Sequence, residues 1–272
     1  MTSIDRLQAE VEDRWSRRDT PSWPDPHTGG RDSLPEEYER VTDPDRYRIV
    51  HERARLWAQV LAAHGARAEE LAPRDAPVWS GEASRSPVDR LVRIDPPVGA
   101  VGALPLFLCE TDGYMADGSA VVGNPERDDD GSSPGNPVPP TLRIAWGGTD
   151  MPLAEVPDCG CDACDHGSAD LLEAVDDTVR HAVEDTVRLA GRHSWPVRRD
   201  ARDWHLTWHA DGSAQGSGTF PGGHGIRRYQ RDRDAWWRMN AACEQIARGE
   251  RPPLPRGTEV TVGRAWFPED RG

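Results

Sequence analysis

Thr141-Leu142-Arg143-Ile144-Ala145-Trp146 runs into Gly147-Gly148-Thr149-Asp150 and then, after Met151, into Pro152-Leu153-Ala154-Glu155-Val156. Two short β-prone runs around a glycine-led turn read as a hairpin, and a tight hairpin makes its two strands antiparallel neighbours. The pattern recurs at 204–209 and 213–220, turning at Asp211-Gly212, a dipeptide suited to a two-residue hairpin loop. Further strands are expected at 88–94, 104–109, 119–122 and 258–266.

Helical periodicity surrounds these strands. Ile4, Leu7, Val11 and Trp15 share one face of a helix over 3–18. Asp43 is placed to cap a second helix with Pro44 in its first turn, and Tyr47, Val50, Ala54, Trp57 and Leu61 form its stripe before Gly65. The longest helix is expected over 168–190, burying Leu171, Leu172, Val175, Val179, Val183, Val187 and Ala190. Its other face, with Asp176 and His181, reads as solvated. A last helix over 233–248 turns Trp236, Met239, Cys243 and Ile246 inward. The fold class is therefore α+β: a mixed or mainly antiparallel sheet of hairpins, with helices packed on one face. A single domain is expected over 38–272, after an N-terminal helix and Pro/Gly-rich linker over 1–37. The Asp/Gly/Ser/Pro stretch at 124–140 reads as a flexible acidic loop.

Composition limits the function. The chain has 272 residues and a net charge of −14, which argues against a nucleic-acid partner, because phosphates are met by basic surfaces. Acidic membrane surfaces are disfavoured likewise, and the longest apolar stretch, 98–109, is too short to span a bilayer. All 33 Lys+Arg positions are arginine, so no Schiff-base, pyridoxal-phosphate or phosphate-loop lysine exists. From the polar N-terminus no secretion signal is expected, and five cysteines, an odd number, suit a reducing cytoplasm better than a disulfide scaffold. With 11 Trp against 3 Phe and 4 Tyr, tryptophan must supply much of the aromatic packing area.

One cluster stands apart: Cys159-Gly160-Cys161-Asp162-Ala163-Cys164-Asp165-His166. Cys161 and Cys164, three apart, can present two sulfurs to one ion from a single turn. Cys159 is a third candidate ligand and His166 a fourth, with zinc the metal such a set suits. Asp162 and Asp165 pull in two directions, attracting a cation while raising the pKa of nearby thiols. The pair also precedes a helix N-terminus, where the macrodipole favours a thiolate, so a redox reading stands beside the metal one. A third reading makes the cysteines small residues shaping a tight turn.

The run resembles a bacterial family of unknown function from high-GC genomes, whose members carry a similar Cys-Gly-Cys-Asp-Ala-Cys-Asp signature opening a helix. The resemblance extends more loosely to Asp43-Pro44-Asp45-Arg46-Tyr47 and to the region from Pro96-Pro97 to Pro157. It implies no activity, fold or ligand, and marks the cluster as a signature.

Other candidates weigh less. His205, Thr207 and His209 alternate with Trp204, Leu206 and Trp208 and share a strand face. Four residues of strand put the two histidines roughly 13 Å apart, so a polar face is the expectation. Pro221-Gly222-Gly223-His224-Gly225-Ile226-Arg227-Arg228 reads as a glycine-rich turn that is an anion cradle only in principle. Gly131-Ser132-Ser133-Pro134-Gly135 lacks the strand and helix of a nucleophile elbow. The acidic run from Glu126 lacks the twelfth-position Glu of a calcium loop. His51-Glu52 lacks the second zincin histidine, since Arg55 stands there.

Two functional classes follow, neither assigning a catalytic residue or a partner. In one, Cys159, Cys161 and Cys164, with or without His166, hold a metal ion. In the other, the cluster is purely structural and the chain is a non-catalytic interaction or ligand-binding protein. Trp15, Trp23, Trp79 and Trp195 would be its exposed anchors.

Overall fold

A computed structural model describes residues 3–28, 32–38, 40–73, 88–113, 138–192, 203–217 and 228–267. They form four helices and nine strands, an α+β chain in which every strand pairing is antiparallel. The chain divides into two compact units, Met1–Val98 with Pro105–Arg180, and Gly99–Leu104 with His181–Gly272. The acidic loop over 124–137, the strand expected at 119–122, Trp79, Trp195 and the turn at 221–227 lie outside the described residues.

In the first unit, α1 (Ser3–Trp15) buries Ile4, Leu7, Val11 and Trp15, the stripe its spacing predicts. Trp15 is thus a core residue and not an exposed anchor. α2 (Ile49–Ala63) buries Val50, Ala54, Trp57 and Leu61. It is entered through a 3₁₀ turn at Pro44–Arg48, which buries Tyr47. Asp43 does not cap this turn: it sits in the left-handed region at φ 50° and its side chain makes no cap hydrogen bond.

Five strands form a meander: β1 (Arg67–Leu71), β2 (Arg90–Asp95), β3 (Leu106–Thr111), β4 (Thr141–Trp146) and β5 (Pro152–Val156), adjacent in sequence order. The β4–β5 hairpin turns through Gly147 at φ 75°, with Met151 N–H donating to the Gly148 carbonyl. β3 is buried along its whole length, as a short continuous apolar run predicts for a strand covered on both faces. Its Glu110, 1 % exposed, accepts from Arg55 Nε at 3.0 Å and Arg90 Nη1 at 2.9 Å. A second buried charge joins helices: α3 (Ser168–Val183) presents Asp176 to Arg53 of α2. Arg53 Nε and Nη2 donate at 2.8 and 2.6 Å, and Trp57 Nε1 adds a bond at 2.7 Å. Asp176 is therefore a core partner and not part of a solvated face.

In the second unit, β6 (Thr186–Arg192), β7 (Asp203–His209), β8 (Ala214–Ser217) and β9 (Glu259–Gly263) order as β8-β7-β6-β9. α4 (Arg228–Ala247) covers one face, packing Ala235, Met239, Ala242 and Cys243 against Val187, Leu189, Trp204, Leu206 and Trp208. The helix expected over 168–190 ends instead at Val183. From Val187 the burial alternates, with Val187 and Leu189 facing α4, and two neighbouring strands take up the backbone groups of β6.

Candidate metal centre

The chain leaves β5 through a cis Val156-Pro157 bond, and Asp158 accepts the backbone N–H of Cys159 at 2.8 Å. Gly160 follows where no side chain fits: a Cβ there would stand 2.0 Å from Pro139 Cγ. Asp162–Cys164 form one 3₁₀ turn, with Cys164 N–H donating to the Cys161 carbonyl at 3.0 Å. Gly167, at φ 90°, then passes against the backbone of Pro24 and Asp25 before α3 begins. Only glycine meets both demands there, a left-handed φ and no Cβ.

This path brings three thiols together. The sulfurs of Cys159, Cys161 and Cys164 all lie within 4.8 Å of one another, and Cys159 Sγ is 3.3 Å from Cys161 Sγ. Tetrahedral zinc with bonds near 2.3 Å spaces its sulfurs about 3.8 Å apart, so the cluster spans the separations that one ion requires. Cys159 is exposed, Cys164 half-buried and Cys161 buried. His166 is exposed and stands outside this trio, its ring 6.4 Å from that of His27.

Asp162, between Cys161 and Cys164, and Asp165, just after Cys164, spend their carboxylates on partners other than the sulfurs. Asp162, 8 % exposed, accepts from Arg40 Nε at 2.5 Å and from Thr42 N and Oγ1 at 2.6 and 2.7 Å. Its own N–H donates to the Arg40 carbonyl. Burial works against the Asp162 anion, yet the Arg40 and Thr42 donors hold its carboxyl below the usual range. Asp165, 4 % exposed, accepts from Trp23 Nε1 at 3.0 Å, from Gly167 N–H at 2.9 Å and from Arg46 Nη2. Arg46 in turn lies over the rings of Trp23 and Tyr47. His27 Nε2 meets the Asp162 carbonyl at 2.9 Å, and Ser33 donates to the Ala163 carbonyl.

Among the described residues, the thiols have no such cationic partner. Burial first, and then the neighbouring thiol of Cys159, raise the pKa of Cys161. The same causes, with Cys161 added, push Cys164 up to about 12. The aspartates, expected to raise these values, are not among the largest causes. At the helix start, Asp165 takes the Gly167 N–H and the Trp23 carbonyl takes that of Ser168. A redox nucleophile needs a stabilised thiolate, whereas a divalent ion supplies the positive charge that deprotonates its thiol ligands. The arrangement can hold a metal ion.

The other candidates have structural roles. His205, Thr207 and His209 share a polar face, on which Thr207 and His209 are buried. The His209 ring stacks on that of His181, centroids 3.9 Å apart, and His181 Nε2 lies 3.1 Å from Asp211 Oδ2. His51 Nε2 meets the Thr141 carbonyl at 2.8 Å. Trp23 is half-buried against Arg46.

Trp23, expected as an exposed anchor, is instead half-buried and bonded to Asp165, and Arg40, Thr42, Arg46, His27 and Ser33 escaped the sequence reading. Of these, only Arg46 had a signal, lying in the Asp43-to-Tyr47 string that accompanies the cysteine run in the family resemblance.

A family model matches the chain over residues 10–269, described as a family of unknown function (DUF6226). No curated protein and no solved structure matches it.

Proposed function

The chain belongs to this family of unknown function, and from its own chemistry we propose that Cys159, Cys161 and Cys164 hold one zinc ion, with His166 turning in as the fourth ligand. The convergence of three sulfurs within 4.8 Å carries this reading. Thiolates select soft or borderline metals, and a four-ligand Cys₃His set is a structural zinc site. His166 is exposed, two residues beyond Cys164, while the loop is held by bonds from Trp23, Arg40, Thr42 and Arg46. On this reading the Cys-Gly-Cys-Asp-Ala-Cys-Asp run is the family's signature because it builds the site, and a reducing cytoplasm keeps its thiols available.

The proposed role is a staple. The loop already fastens the segment around Trp23 and His27, the turn at 40–46 and the entry to β4 at Pro139 against the start of α3. An ion bound there adds its binding free energy to folding. Cobalt(II) substitution tests the ligand set. Sulfur-to-metal charge-transfer absorption with intense tetrahedral d–d bands is expected, and His166→Ala should alter the d–d bands while keeping the charge transfer. Absence of charge transfer in wild type would remove the thiolate assignment. An unchanged spectrum in His166→Ala would leave the fourth position to water, which is the open geometry of a hydrolytic site.

A further inference from the structure

We infer that hydrogen peroxide opens this site by joining Cys159 to Cys161 in a disulfide, releasing the ion. The inference rests on the zinc reading above and adds its regulation. Oxidation of a sulfur follows its thiolate character and its exposure. Zinc gives all three sulfurs thiolate character, so exposure chooses among them. Cys159 is exposed, Cys164 half-buried and Cys161 buried. The sulfur at the solvent side is therefore the one peroxide meets first, and Cys161 Sγ stands behind it at 3.3 Å.

The chemistry balances without another reactant. The Cys159 sulfur attacks peroxide, the O–O bond breaks, one oxygen stays on sulfur as the sulfenic acid, and the other leaves and takes up protons as water. The Cys161 sulfur then attacks the sulfur of Cys159, the S–O bond breaks, and the departing oxygen also leaves as water. Two thiolates, one peroxide and two protons become one disulfide and two waters. The metal loses two thiolate ligands together, and Cys164 with His166 cannot complete a structural set.

The scaffold is arranged to survive the event. Asp162 and Asp165 are held by Arg40, Thr42, Arg46 and Trp23 and not by the metal. These bonds remain when the ion departs, so reduction can restore the three sulfurs to their places.

The test uses the full-length protein, reduced, loaded with zinc and freed of excess metal. Bound zinc is measured first, then peroxide is added in steps while a chromogenic chelator reports release and peptide mass spectrometry reports the thiols. The expected result is zinc released in proportion to a mass loss of about 2 Da across the peptide containing Cys159 and Cys161, with dithiothreitol and zinc restoring the starting state. Release accompanied only by sulfinic or sulfonic acids, or by a bridge to Cys164, would overturn the inference while leaving the zinc reading intact. A protein that binds no zinc at the first step would overturn the zinc reading and this inference with it.

Discussion

Asp162 lies between two cysteines in sequence, yet its carboxylate is turned onto Arg40 Nε, 2.5 Å away and far along the chain. The anion that seemed poised to serve or oppose the metal instead ties the cysteine loop to residues 40–42. Hydrogen bonds to a charged group are worth about 1.5–3 kcal/mol each, reduced here because the Arg40 side chain is 55 % exposed. Asp162→Asn should therefore destabilise the protein by about 1–2 kcal/mol in urea unfolding and weaken zinc retention. Its carboxyl is held low in the folded state, so its stabilisation is full above the unfolded pKa and is lost as the pH falls through the folded one. Unaltered stability and zinc content would show that the anchor does not matter.

Gly160→Ala places a methyl group 2.0 Å from a ring carbon of Pro139, and a proline ring cannot swing aside. Overpacking of this kind costs about 1–3 kcal/mol. The loop should shift, lowering both the urea midpoint and the bound zinc. A variant that keeps wild-type values on both counts would contradict the close approach.

Arg53 and Asp176 are 1 % and 5 % exposed, and removing Asp176 leaves the buried guanidinium with Glu12 alone, at 2.8 Å. Asp176→Ala should cost about 3–5 kcal/mol, and it also removes the acceptor of Trp57 Nε1. The midpoint of chemical unfolding checks this; a loss under 1 kcal/mol would place the pair in solvent.

His209 is buried and its pKa is lowered to about 3, first by burial and then by the neighbouring His181. The unfolded state takes up a proton near pH 6.5 and the folded state does not. Stability is thus full above pH 6.5 and falls as the pH drops from there toward the folded value, by about 2 kcal/mol at pH 5. Urea unfolding at pH 7 and pH 5 should show this slope, flattened in His209→Gln. A slope that persists unchanged in that variant would assign it to other groups.

Periodicity made much of the scaffold legible. Ile4, Leu7, Val11 and Trp15, and the Tyr47-to-Leu61 stripe, occupy the buried faces that their spacing demands, and turn glycines, Gly147 and Gly212, mark both hairpins. β1 escaped because Arg67-Ala68-Glu69-Glu70-Leu71 is a polar edge strand with one neighbour and no apolar alternation. The end of α3 was misplaced because Val183 and Val187 keep helical spacing while Val187 and Leu189 begin a strand's alternation; only pairing with β7 and β9 decides. The convergence of the cysteines could be read from local spacing. Their surroundings could not, since Arg40, Thr42 and Trp23 reach the loop from far along the chain.

Elemental analysis of the purified, untagged protein beside a Cys161→Ser/Cys164→Ser double variant tests the central claim most directly. The account predicts near-stoichiometric zinc in the wild type and its loss in the variant. Stability should fall by about 3 kcal/mol on chelation from a free zinc level a hundredfold above the dissociation constant. Metal-free wild type, after purification under reducing conditions with zinc supplied, would contradict the account and leave the three cysteines as the shape of a turn.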